Sequence, residues 1–114
     1  PNGMALSYPN LMYDNGEFIY KTQRETIRTH GPRVTENVIQ ALARIVITDQ
    51  ILDIQSMPQV DIVMQIHDEI VAIGSESDSD KTMEQIIGIM RTPPSWCSDL
   101  PLDAEGGVSQ VYDK

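Results

Sequence analysis

The sequence predicts an α+β chain: a mostly antiparallel sheet packed against one long helix, with a shorter helix toward the C-terminus. Three observations point there. Apolar residues recur at helical spacing from Val34 to Ile54. Two β-rich runs, Ile62 to Ile66 and Ile70 to Ile73, surround three ionisable residues in a row. Asn15-Gly16, a pair that favours positive φ, marks a hairpin near the N-terminus.

In chain order, the runs Met4 to Tyr8 and Glu17 to Tyr20 are expected to pair across the loop that holds Pro9-Asn10 and Asn15-Gly16. Thr22-Gln23-Arg24-Glu25 has capping-box spacing and predicts a short helix that stops near Gly31-Pro32. The long helix follows, with Val34, Val38, Ala41, Leu42, Ile45 and Leu52 on its apolar side. Arg33, Asn37, Gln40, Arg44 and Thr48 form the opposite stripe. A solvated face is the ordinary reason for such a stripe, although amides are less usual there than Glu and Lys, which leaves room for a ligand.

Met57-Pro58 ends the helix, and a tight hairpin then carries His67-Asp68-Glu69 at or beside its tip. Flanking strands would hold its carboxylates in place. The polar loop after Gly74 is expected to cap a helix from about Asp80 to Met90, whose Met83, Ile86, Ile87 and Met90 make an apolar stripe. Pro93-Pro94 stops that helix, Trp96 anchors the next loop, and Leu102 to Tyr112 reads as a last strand with a bulge at Gly106-Gly107.

Size and composition bound the function. The 114 residues suffice for one domain, and 40% apolar residues can build a modest core. No apolar run approaches the roughly 18 residues of a membrane helix. One cysteine, Cys97, excludes an internal disulfide framework and a multi-cysteine zinc site. With no Asn-x-Ser/Thr acceptor and no signal-like N-terminus, a cytoplasmic location is expected. Pro1-Asn2-Gly3 reads as a turn without a preceding strand, so a fragment is expected. The formal charge of −9 argues against nucleic acid, but it is uneven: Lys21 to Arg44 holds five basic and two acidic residues, a local +3 that leaves −12 for the remainder.

Asp68 and Glu69 are adjacent hard oxygen ligands suited to magnesium, and a divalent metal on carboxylates is what phosphoryl transfer requires. The plain alternative is an ordinary exposed turn. His67 could bind metal, bond a phosphate or sugar, or cap the turn; His30 is far off in sequence, which disfavours zinc. Asp78-Ser79-Asp80 starts like a calcium loop, but Met83 stands where glycine is needed and Ile89 where glutamate is needed. Cys97 has no histidine near it in sequence and reads as a structural thiol.

Val63-Met64-Gln65-Ile66-His67-Asp68-Glu69-Ile70-Val71 resembles motif C of family A DNA polymerases, the DNA polymerase I type, where a His-Asp-Glu triplet sits at a palm-domain hairpin. The segment from His30 to Arg44 is similar to the helix that precedes motif C in bacteriophage members. Pro93-Pro94-Ser95-Trp96, Leu100 to Gly106 and Tyr112-Asp113-Lys114 resemble the ends of those enzymes. The resemblance implies a palm-type sheet, with residues 1–30 as hairpin and connection after the fingers and 31–114 as palm core. It also implies nucleotidyl transfer from a dNTP to a primer 3′ hydroxyl with two Mg2+ ions in the complete active site. Asp68 would hold metal, Glu69 would assist, and His67 would lie by the primer end. Gln40 matches a position that contacts the primer-template duplex; Arg33 and Asn37 share its face.

Motif A, which carries the second catalytic aspartate, and motif B, the nucleotide-binding fingers helix, are not found among these residues. An upstream segment carrying both is therefore the expected partner, no membrane is expected, and the isolated chain is expected to be inactive. The rivals are a small acidic protein-binding module using Trp96 and Met-rich surfaces, and a metal-dependent phosphohydrolase.

Overall fold

The computed structural model describes residues 1–112. It is α+β, with five antiparallel strands in two sheets, one long helix and one shorter helix. The chain divides into two compact units, Pro1–Ile45 and Val46–Lys114, and the division falls within the long helix.

The first unit holds the strands β1 (Met12–Asp14), β2 (Glu17–Lys21) and β3 (Thr26–Thr29) in the order β1-β2-β3. Asn15 at φ 49° and Gly16 at φ 84° make a two-residue turn, and Asp14 pairs with Glu17. So tight a turn pairs β2 with the residues immediately before it. Met4 to Tyr8 therefore forms no strand, contrary to the sequence expectation; instead the Lys21 N–H donates to the Pro9 carbonyl at 2.9 Å. Tyr13 and Phe18 face each other across the hairpin, ring centroids 5.1 Å apart.

Thr22 to Glu25 starts no helix either. The Thr22 hydroxyl accepts the Glu25 N–H at 3.1 Å, and the Thr22 N–H donates to the Glu25 carbonyl at 2.9 Å. The capping chemistry is real but closes a β-turn, because Thr26, Ile27 and Thr29 then favour the extended β3. The helix α1 (Gly31–Gln55) begins earlier than Val34: Pro32 fits its first turn, where its missing N–H costs nothing. His30 caps it, its Nδ1 accepting the Arg33 N–H at 3.1 Å. Of the expected apolar side, Ile45 is buried, but Val38 and Leu52 lie exposed.

The second unit is built on the end of α1, the hairpin of β4 (Val60–Ile66) and β5 (Glu69–Gly74), and the helix α2 (Ser79–Arg91). Its core is Ile47, Ile54 and Val60, with Ile54 fully enclosed. Buried Gln50 joins the two helices, its Nε2 donating to the Met90 carbonyl at 2.9 Å. The Ile62 N–H donates to Gln55 Oε1 at 3.3 Å, tying β4 to the end of α1. On α2, Met83, Ile86, Ile87 and Met90 are all half-buried, as their spacing predicts. Asp78, however, makes no side-chain cap. Trp96 stays 39% exposed in a short turn, so it is a weaker anchor than expected.

Among the described residues no strand follows β5, so the strand expected over Leu102 to Tyr112 is absent. Its apolar residues are too few and too interrupted by Gly106-Gly107 to build a ladder. The segment is held instead by side chains: Arg91 Nε donates to Asp103 Oδ1 at 2.8 Å, and Gln110 Nε2 donates to Glu76 Oε1 at 3.2 Å. Gly106 passes so close to α2 that an added Cβ would lie 2.7 Å from Met83 Sδ. Of the terminal triplet, Asp113 and Lys114 fall outside the described residues.

Candidate functional site

β4 and β5 meet in a tip of two residues, His67 and Asp68, with Ile66 paired to Glu69. A turn this short fixes the position of what it carries to within a side-chain rotation. His67 sits at φ 53°, a region that non-glycine residues seldom enter, although histidine enters it more readily than most. Gln65 reinforces the geometry by donating from Nε2 to the His67 carbonyl at 2.7 Å. His67 and Asp68 are exposed and Glu69 is half-buried; the Tyr112 hydroxyl donates to Glu69 Oε1 at 3.5 Å. Positive φ is what a two-residue hairpin turn asks of its first residue, as at Asn15 in the β1–β2 turn.

Lower on the hairpin the register slips between Ile62 and Met64, leaving Val63 as an extra residue on β4. Such a bulge bends and twists the strand and so helps to aim the tip.

The tip thus brings together His67, Asp68 and Glu69. Arg33, Asn37 and Gln40 lie in the first unit, on the first turns of α1. Arg33 and Gln40 are exposed; Asn37 is half-buried, its Nδ2 donating to the Tyr8 hydroxyl at 3.0 Å. Gln40 Nε2 donates to Glu36 Oε1 at 3.2 Å. Sequence reasoning missed Gln65, Tyr112 and Tyr8. Gln65 had a signal, being a polar residue in an otherwise apolar run two places before the tip; Tyr8 and Tyr112 had none, since their partners are far away in sequence.

Among the described residues, no group of three or more His, Cys, Asp or Glu is placed to hold a metal ion. Two neighbouring carboxylates do fit the way magnesium is commonly bound, by one or two carboxylates together with substrate phosphates and water. Zinc, which needs three or four protein ligands, does not fit. Among the described residues no helix is long and apolar enough to cross a membrane.

This chain is 32% identical, over 127 residues, to the DNA polymerase of Bacillus phage SP02. It is similar to a segment of a DNA polymerase. The match takes in the whole of this chain but only 19% of the phage protein, so the chain spans about one fifth of the length of that relative. No family model and no solved structure matches.

Proposed function

We propose that the chain forms the motif C part of the palm of a family A DNA polymerase, and that its hairpin tip supplies carboxylates to template-directed DNA synthesis. The observation that carries this reading is the tip itself: Asp68 in a two-residue turn with positive φ at His67, and Glu69 next to it at the start of β5, in a chain similar to a segment of a DNA polymerase. Motifs A and B lie outside these 114 residues, and these residues by themselves are inactive.

In the complete enzyme Asp68 serves as one of two aspartates that hold Mg2+. When bound, the two ions activate the primer 3′ hydroxyl and stabilise charge on the leaving pyrophosphate. Glu69, half-buried and bonded to Tyr112, assists from the first position of β5. His67 presents its imidazole to the primer end, its backbone held by Gln65. Gln40, with Arg33 and Asn37, contacts the primer-template duplex. An acidic tip repels DNA unless cations are present, so metal binding and DNA binding at the tip are coupled.

Reconstitution tests this. Adding a polypeptide that carries motifs A and B should yield magnesium-dependent primer extension, and Asp68→Ala should lower it by at least about 100-fold. Extension by Asp68→Ala at the unaltered rate removes Asp68 from the mechanism.

A further inference from the structure

Among the described residues no strand holds the chain after α2, yet its course through the second unit is fixed at several points. Arg91 Nε donates to Asp103 Oδ1 at 2.8 Å, Leu102 and Ala104 are half-buried, and Gly106 lies against the Met83 thioether. Gln110 Nε2 then donates to Glu76 Oε1 at 3.2 Å, just beyond the end of β5. The Tyr112 hydroxyl donates to Glu69 Oε1 at 3.5 Å, at the first residue of β5. The segment thus brings a phenol from one end of the hairpin to the other, where the tip is. Burial does not account for this course. Tyr112 is 53% exposed and Val111 is 69% exposed, so the end of the segment covers little apolar surface. What Tyr112 does at the tip is done by its hydroxyl.

Two consecutive carboxylates pose a problem for a magnesium site. Like charges repel, and each carboxylate can swing toward the cation or away from it. Mg2+ takes one or two protein carboxylates and keeps its other positions for phosphates and water, so it matters which carboxylate reaches it and from where. Asp68 is exposed in the turn, whereas Glu69 is half-buried and its Oε1 accepts from Tyr112. A phenol suits this task because it is a neutral donor, which directs a carboxylate without cancelling its charge as lysine or arginine would. Carboxylates at metal sites are commonly held by such partners, whose removal weakens metal binding or activity. The separation of 3.5 Å is long, as catalytic hydrogen bonds often are before metal and substrate bind.

We propose that Tyr112 is a positioning residue: its hydroxyl sets the direction of the Glu69 carboxylate and keeps it apart from Asp68, which is left to hold the metal. The proposal rests on the polymerase reading of the tip and adds to it the segment after Leu100.

Two measurements test it. In the 114-residue chain without metal, NMR scalar couplings about χ1 and χ2 of Glu69 should report one rotamer and should average on Tyr112→Phe, while those of Asp68 stay unchanged. In the complex reconstituted with a polypeptide that carries motifs A and B, Tyr112→Phe should lower kcat about tenfold, with KM for the dNTP within about twofold. In a Glu69→Ala background the same substitution should change kcat by less than about twofold, because its effect passes through Glu69. A merely structural loss would be equal in the two backgrounds. Unmoved Glu69 couplings, an unaltered kcat, or equal losses in the two backgrounds would each overturn the proposal. Extension that is absent or indifferent to Asp68→Ala overturns the polymerase reading instead, and the couplings still decide whether Tyr112 directs Glu69.

Discussion

Replacing His67 separates the strain in the tip from its chemistry. At φ 53° a side chain with a Cβ costs about 1 kcal/mol, and a β-branched one about 2 kcal/mol, relative to glycine in the folded state. Glycine recovers that strain but raises the entropy of the unfolded chain, which offsets about 0.5–1 kcal/mol. His67→Gly should therefore be as stable as the unaltered chain or slightly more so, while His67→Val should fall below it by about 1–2 kcal/mol. A Gly-to-Val spread of about 2 kcal/mol is a factor of about 30 in the folding equilibrium. Urea unfolding followed by the fluorescence of Trp96, the one tryptophan, reads this directly, because Trp96 lies in the same unit as the hairpin. If Val and Gly at position 67 agree to within about 0.5 kcal/mol, the tip is not held at positive φ, and strain plays no part in presenting Asp68. In the reconstituted enzyme His67→Gly should extend primers more slowly despite its stability, since a freer turn no longer fixes the carboxylates.

Other substitutions probe the scaffold. Thr29 is buried with its hydroxyl unpaired among the described residues, so Thr29→Val should stabilise the chain by about 1 kcal/mol in the same urea assay. Gln50→Leu leaves the Met90 carbonyl without its donor and should cost about 1–3 kcal/mol. The two closely packed glycines should respond differently. An added methyl at Gly74 would stand 3.2 Å from the Gln59 backbone carbonyl, which cannot easily give, so Gly74→Ala should cost about 1 kcal/mol. At Gly106 the neighbour is the flexible Met83 thioether, and Gly106→Ala should stay within about 0.5 kcal/mol of the unaltered chain.

What was legible in the sequence was what local chemistry decides. Asn15-Gly16 has few conformations open to it and made its turn; the two β-branched runs around His67-Asp68-Glu69 had one short way to pair; Met83 to Met90 kept helical spacing throughout. The failures came where a correct local signal served another purpose. Thr22 has the hydroxyl of a helix cap, but whether a capped turn continues as helix depends on the residues after it, and those of β3 are β-branched. Val38 and Leu52 keep helical phase with Ile45 yet are exposed, because periodicity tells which residues share a side and not how much of that side is covered. Along β4 the extra residue Val63 breaks the alternation, so no period-two reading of that strand could have assigned its faces. As for the candidate site, the acidic tip was visible as three ionisable residues between apolar runs. Its supports, Gln65 and Tyr112, and the Tyr8 contact with Asn37 depend on contacts that spacing alone does not encode.

The segment after Leu100 is fastened at separate points, Asp103 to Arg91, Gln110 to Glu76 and Tyr112 to Glu69, with no backbone ladder between them. Its amides should therefore exchange with deuterium far sooner than those of β4 and β5. A residue inserted between two fasteners would lengthen a slack stretch without turning neighbouring side chains over, whereas the same insertion in β4 would reverse every one beyond it. Changes of length are thus absorbed in this segment, while the tip it reaches through Tyr112 keeps its form.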